Sequence, residues 1–401
     1  MTTSTSLLSK TFAVKGGTPA FPSMQRLGQH YFPDWARYET AFRDIFARQY
    51  YTNHGPLAQR LEARAASYLG VRHAMCITNE AIALCLAAQA LSLQGKVLVP
   101  AIAGMQLAQS LQWAGCEPVY CDIDLHTGMM DAQAARARLA AGDIVAILAA
   151  DLFGSLADHA GLQAVADEFG LPLYFDACAA FGSTSGGRSR AGDGRLQVFS
   201  MQSSHVLSAG EGAFIVTDDD QLAAHVRNIR SNYGMGQVIV PVVKTSNGRF
   251  SEAQAAVALA SFDDLDAHIA RNQQLRQDYV AALSGLAGIE VLAPAGVDRS
   301  NGQSLMLRVD AAKFGLSGRQ LIALLQAENV QAEPQVNAGF YRHDSRFGTS
   351  ALPVADAWHD SLVELPLGSK TDGATVATIA ALLAAAHAQA AGLATVLGAG
   401  R

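Results

Sequence analysis

Seven short apolar runs constrain this chain more than any other feature. They fall at 74–78, 96–100, 118–121, 144–149, 173–175, 197–200 and 213–217, and helical spacing separates most of them, for example at 106–113 and 162–169. Apolar strands alternating with helices predict an α/β fold whose mostly parallel sheet is covered on both faces. Ligands of such sheets sit at the carboxyl ends of the strands, so the loops there carry the functional signal.

Four parts are expected. Residues 1–35 form an N-terminal arm, polar and then Gly/Pro-bearing (GGTPAFP), with little in its own sequence to pack on. Residues 36–250 make the large α/β domain. Residues 251–285 link the domains, with 251–283 as one long helix. Residues 286–401 make a small C-terminal domain with a strand at 304–309, helices at 317–328 and 375–391, and a frayed last ten residues. Helices are also expected at 38–49 and 56–69, the second opened by Pro56.

At 401 residues the chain is long enough for a large core. The formal charge of −6 argues against nucleic acid or an anionic membrane as partner. The five cysteines, at 76, 85, 116, 121 and 178, show no C-x-x-C pair and no Cys/His ligand spacing. Reduced thiols, a cytoplasmic location and no metal site are the expectation. No apolar run has the length of a membrane span.

The most informative loop is QVFSMQSSHVLSAGEGAFIVT, residues 197–217, which carries a polar glycine-bearing turn between two strand runs. With Phe199, Ser200, Gly210, Glu211 and Gly212 in register, it resembles the DegT/DnrJ/EryC1/StrS aminotransferases. These are the sugar aminotransferase branch of the fold-type-I pyridoxal phosphate (PLP) enzymes. Weaker matches in the same order extend the likeness over almost the whole chain. They include Gly16-Gly17, Tyr51-Thr52, Tyr68 to Val71, Val99-Pro100, Leu152-Phe153-Gly154 with Asp158, and the stretch 352–372. The resemblance implies the fold-type-I architecture, a homodimer with shared clefts, and a PLP site.

In that family the loop carries the Schiff-base lysine, and at its position this chain has His205. Asp176, in YFDACAAFG, matches the Asp that faces the pyridine nitrogen and keeps the ring an electron sink. Ser200 matches a phosphate-binding hydroxyl. Asn247, in NGRFSEAQA with Arg249 and Ser251, matches an Asn that reaches the phosphate from the neighbouring subunit. Other positions depart from the pattern. The phosphate turn reads Thr78-Asn79-Glu80-Ala81, the run after the second strand (101–104) has no aromatic to stack on a ring, and a polar ring contact is replaced by Ala179. Glu80 would repel a phosphate, and the simpler expectation is that it turns to solvent as a first-turn Glu. Of six lysines only Lys244 lies near a family site loop, and as an exposed side chain.

Three functions follow from the resemblance. The first is a biosynthetic enzyme acting on a small polar metabolite of an amino-sugar or natural-product pathway, not a standard transaminase, with His205 and Asp176 as catalytic groups. The second is a His-type dehydratase holding PLP or its amine form (PMP) noncovalently through Asp176, Ser200 and Asn247. The third is a non-catalytic partner of an active paralogue. The cofactor is noncovalent PLP or PMP, or none.

Overall fold

The computed structural model describes residues 10–231, 246–334, 340–343 and 351–398. Its centre is a sheet of seven strands: β1 (His73–Ile77), β2 (Gly95–Pro100), β3 (Cys116–Cys121), β4 (Ile144–Ala150), β5 (Leu173–Asp176), β6 (Gln197–Ser200) and β7 (Ala213–Thr217). The order is β1-β7-β6-β5-β4-β2-β3. β7 runs antiparallel to both its neighbours and every other pair is parallel. Six strands therefore point one way and end on one edge. The seven apolar runs are these strands, each boundary lying within two residues of its expected place.

Helices α1 (Trp35–Arg48), α2 (Pro56–Leu69), α3 (Glu80–Ala90), α4 (Met105–Ala114), α5 (Ala132–Leu139), α6 (His159–Phe169) and α7 (Asp220–Ile229) cover the sheet. Their ends follow local rules. Pro56 opens α2, and Gly70 closes it at a φ of 70°, a left-handed conformation that suits glycine. Asn79 caps α3 by accepting from the Ile82 N–H. α3 is buried almost all round, from Ala83 to Ala90, as expected of a helix lying between a sheet and other helices.

The single helix expected at 251–283 is two, α8 (Glu252–Asp263) and α9 (Leu265–Leu283). Asp264 breaks it with a φ of −100° and a ψ of 1°. The Asp264 carboxylate accepts from the Tyr31 hydroxyl and, at 2.9 Å, from Arg37. A side chain drawn to a tertiary partner outweighs helix periodicity here.

The C-terminal part holds a small antiparallel sheet, ordered β10-β9-β8, from β8 (Ile289–Val291), β9 (Leu305–Val309) and β10 (Leu362–Leu365). Helices α10 (Ala311–Phe314), α11 (Gly318–Ala327), α12 (Pro353–Ser361), α13 (Gly373–Ala388) and α14 (Ala390–Leu397) accompany it. Two expectations need correcting. The frayed tail is largely α14, whose Leu393 is fully buried. The arm is not left without a partner, because Phe12 is fully buried in the small-domain core. The buried Glu328 carboxylate accepts the Ala13 and Ala20 N–H groups at 2.7 Å each, and Gln25 bridges to Val330. The arm's polar groups thus find partners on the C-terminal domain. Among the described residues no single helix is long and apolar enough to cross a membrane.

Candidate active site

At the carboxyl edge of the large sheet lies a cavity of about 510 Å³. Residues from the ends of β4 (Asp151, Leu152, Phe153), of β5 (Asp176, Cys178, Ala179) and of the loop after β6 (Gln202, Ser204, His205) line it. Glu80 from the first turn of α3, Gly104 before α4, Arg26 and His30 of the arm, and Gln303, Glu333 and Glu364 from the C-terminal part also line it. Three of the residues singled out from the sequence therefore converge: Asp176 and His205 line the cavity, and Ser200, fully buried, hydrogen-bonds Glu80. Asn247 does not join them. It is exposed, and its side-chain oxygen accepts from Arg249 Nε at 2.9 Å. Lys244 lies outside the described residues. None of the described lysines lines the cavity.

The His205 loop is held from several sides. The His205 N–H donates to Gln202 O at 3.0 Å, and Ser203 N–H to Gly210 O at 2.9 Å. From the arm, the Gln29 and His30 N–H groups donate to Ser204 O and Ser203 O at 3.1 and 2.9 Å. From the small domain, Gln303 Nε2 donates to Ser204 O while its Oε1 accepts the Val206 N–H. Nothing in the loop's own sequence announces these clamps, which come from residues about a hundred or more positions away.

His205 is 13% exposed, and burial pushes its imidazole down to about 4, so it is neutral at physiological pH. Its Nε2 lies 3.8 Å from Glu80 Oε2. That is too long for a hydrogen bond, and burial keeps the imidazole neutral, so the contact is not an ion pair. His205 Nδ1 is enclosed and has no hydrogen-bond partner among the described residues.

Glu80 corrects the expectation that it faces solvent. Its side chain is 17% exposed and turns inward. Burial and the Asp176 carboxylate push it up to about 7, against hydrogen bonds from Ser200 and Cys178 that favour its charged form. Burial also raises Asp176, which accepts the Cys178 N–H at 3.1 Å, and holds the Cys178 thiol well above its usual range. Carboxylate oxygens of Glu80 and Asp176 and the Cys178 sulfur all lie within 4.8 Å of one another.

Behind this group, the buried Asp151 carboxylate accepts the Ala157 N–H and faces His159 Nε2 at 3.1 Å, while His159 Nδ1 lies 3.0 Å from Asp193. Burial opposes the charge, but Asp151 and then Asp193 raise His159 to about 9, so it is an imidazolium that neutralises Asp151. At the end of β4, Phe153 adopts a φ of 60°, a left-handed strain uncommon for a bulky residue. Its ring borders the cavity and packs against Trp358. Sequence inspection missed this aromatic because it arrives from β4, not from the run 101–104.

A pyridoxal phosphate group does not fit these side chains as they stand. Its phosphate needs the N-terminus of α3, and its ring nitrogen needs Asp176. Glu80 stands at the first position, where a carboxylate repels a phosphate dianion, and lies within the electrostatic reach of Asp176 at the second. No described lysine is in place to bind an aldehyde.

The sequence model of the DegT/DnrJ/EryC1/StrS aminotransferase family matches residues 36–384. Two similar proteins are dTDP-4-amino-4,6-dideoxy-D-glucose transaminases. That of Shigella dysenteriae is 27% identical, over 72% of this chain and 78% of its own length; that of Escherichia coli is 25% identical, over 88% and 95%. Among solved structures, DesI in the presence of its TDP-sugar product superposes with a TM-score of 0.88 at 29% identity, covering 96% of this chain and 98% of that one. A GDP-4-keto-6-deoxymannose-3-dehydratase with a trapped PLP-glutamate geminal diamine reaches 0.79 at 17% identity, over 89% and 100%, a likeness of fold alone.

Proposed function

The chain belongs to the DegT/DnrJ/EryC1/StrS aminotransferase family, and from that premise we propose a biosynthetic enzyme for a small polar metabolite of an amino-sugar or natural-product pathway that does not run lysine-bound transamination. His205 stands where relatives carry the Schiff-base lysine, and it acts as the base. The observation that carries this reading is a neutral, largely buried imidazole in the cavity at the strand ends, beside Asp176. A neutral imidazole removes a proton from a bound substrate; the polar groups around it orient that substrate. The buried, unpaired cysteines suit a reducing cytoplasm.

The working unit in this reading is a homodimer. Trp35, Phe32, Phe46 and Tyr51 are exposed on and beside α1, a run of apolar surface that a monomer would leave in water. Asn247 and Arg249, also exposed, are available to a neighbouring subunit's cleft.

Borohydride reduction in the presence of PLP, followed by peptide mapping, tests the chemistry. No phosphopyridoxyl-lysine peptide is expected; one at Lys244 would restore ordinary transaminase chemistry. A second reading, a His-type dehydratase with noncovalent PLP or PMP, is favoured by the same His205 and moves first if the protein binds PMP tightly without such a peptide.

A further inference from the structure

Glu80, Asp176 and Cys178 bring two carboxylates and a thiol together at the strand ends. We propose that the pocket which relatives give to a phosphate-bearing cofactor takes, in this chain, a divalent transition-metal ion held by Glu80, Asp176 and Cys178.

Geometry comes first. The three ligand atoms lie within 4.8 Å of one another. An ion about 2.0–2.3 Å from carboxylate oxygen and thiolate sulfur spans ligand pairs up to about 4.6 Å apart, so a shift of a few tenths of an ångström closes the site. Two sit on regular elements and the third in the turn that follows one of them. Glu80 opens α3, Asp176 ends β5, and Cys178 follows two residues later with its N–H on Asp176 Oδ1.

Charge points the same way. Two carboxylates face each other, and the one arginine among the described lining residues, Arg26, is an exposed side chain. A phosphate dianion meets repulsion here, whereas a cation relieves it. The thiol then selects the kind of cation, since sulfur adds nothing for an ammonium group, calcium or magnesium but favours zinc, cobalt or iron. Three protein ligands with an open position is the arrangement of reactive, not structural, metal sites. His205 Nε2, 3.8 Å from Glu80 Oε2, is within reach of a water carried on the ion. Two of the ligands are carboxylates and Glu80 comes from a distant chain segment, which is why cysteine and histidine spacing led to the opposite expectation. The site does not depend on the reaction proposed above, because metal binding is read without turnover.

The test is a titration of untagged, chelator-stripped, reduced protein with Co²⁺, followed by absorbance. One ion per chain is expected, with a near-ultraviolet thiolate-to-cobalt band that Cys178→Ser removes and that Zn²⁺ displaces. Glu80→Gln, at a partly exposed helix start and so safe for folding, is expected to weaken binding by about tenfold or more. Parallel fluorescence titration of the wild type with PMP is expected to show no micromolar binding. Absence of Co²⁺ binding by folded wild type, a thiolate band unmoved by Cys178→Ser, or micromolar PMP binding each overturns the proposal.

Discussion

Two inward-facing glutamates, eighteen positions apart, are treated in opposite ways. Glu62, on α2, is 5% exposed and surrounded by cations. Arg230 Nη1 lies 2.6 Å from its Oε1, and Arg227 and His54 sit 2.9 and 3.0 Å from its Oε2. The Cys76 N–H adds a fourth contact at 2.9 Å. Burial works against the charge, yet His54, Arg230 and Arg227 together hold Glu62 down to about 2. Glu80, on α3, is almost as enclosed, but its neighbours are another carboxylate, a thiol and a neutral imidazole, and it is held up near 7. One site binds its charges to one another, and the other keeps a charge deficit that only a proton, a ligand or an ion supplies. Strained ionisation of the second kind, in a cavity at strand ends, marks a working site.

The largest effect is expected at the satisfied end. Glu62→Gln leaves Arg230 buried without its counter-charge and should cost about 3–5 kcal/mol of unfolding free energy. The folded pKa lies below the unfolded one, so this contribution is present above about pH 4.5 and lost as pH falls toward 2. Denaturant melts at pH 7 and pH 3 measure both. A loss under about 1 kcal/mol at pH 7 would mean that Glu62 is no better supported than a surface pair, and the contrast with Glu80 would fail.

The contrast also separates what the sequence carries from what it does not. Strands were legible because burial on both faces makes each an apolar run, whatever lies around it. Family loops placed Asp176, Ser200 and His205 in one neighbourhood for the same reason, since strand ends share an edge. The inward turn of Glu80 was not legible. A first-turn glutamate reads identically whether it faces water or a cavity, and only the walls supplied by β5 and β6 decide. The anchoring of the arm by Glu328 and the break at Asp264 escaped likewise, because each depends on a partner more than two hundred residues away.

His159 lies between the two extremes, as a charge that is paired but beside the site. Its folded pKa near 9 lies above the ordinary 6.5, so its contribution is complete below about pH 6.5 and disappears as pH rises through 9. The size is on the order of 3 kcal/mol. Thermal melts from pH 6 to pH 10 should fall more steeply for the wild type than for His159→Gln. Equal slopes would show that Asp151 does not depend on an imidazolium, and that the back wall of the cavity resembles Glu80's surroundings more than Glu62's.

The last effect, no larger than that of His159, has the opposite sign. Glu80 has its folded pKa raised above 4.5, so it destabilises the fold progressively as pH climbs from 4.5 to 7, and by a constant amount above that. Glu80→Gln removes the penalty and keeps the shape, so in metal-stripped protein it should stabilise by up to about 3 kcal/mol at pH 8 and by almost nothing at pH 4. A glutamate whose loss strengthens a protein is kept for something other than folding. Denaturant melts at both pH values, in the presence of a chelator, decide the point. Adding Co²⁺ should then reverse the order, because an ion bound only by the folded wild type raises its stability and leaves the variant behind. If Glu80→Gln destabilises at pH 8 as Glu62→Gln does at pH 7, both glutamates are structural, and the inward turn of Glu80 is a packing solution with no ligand to receive.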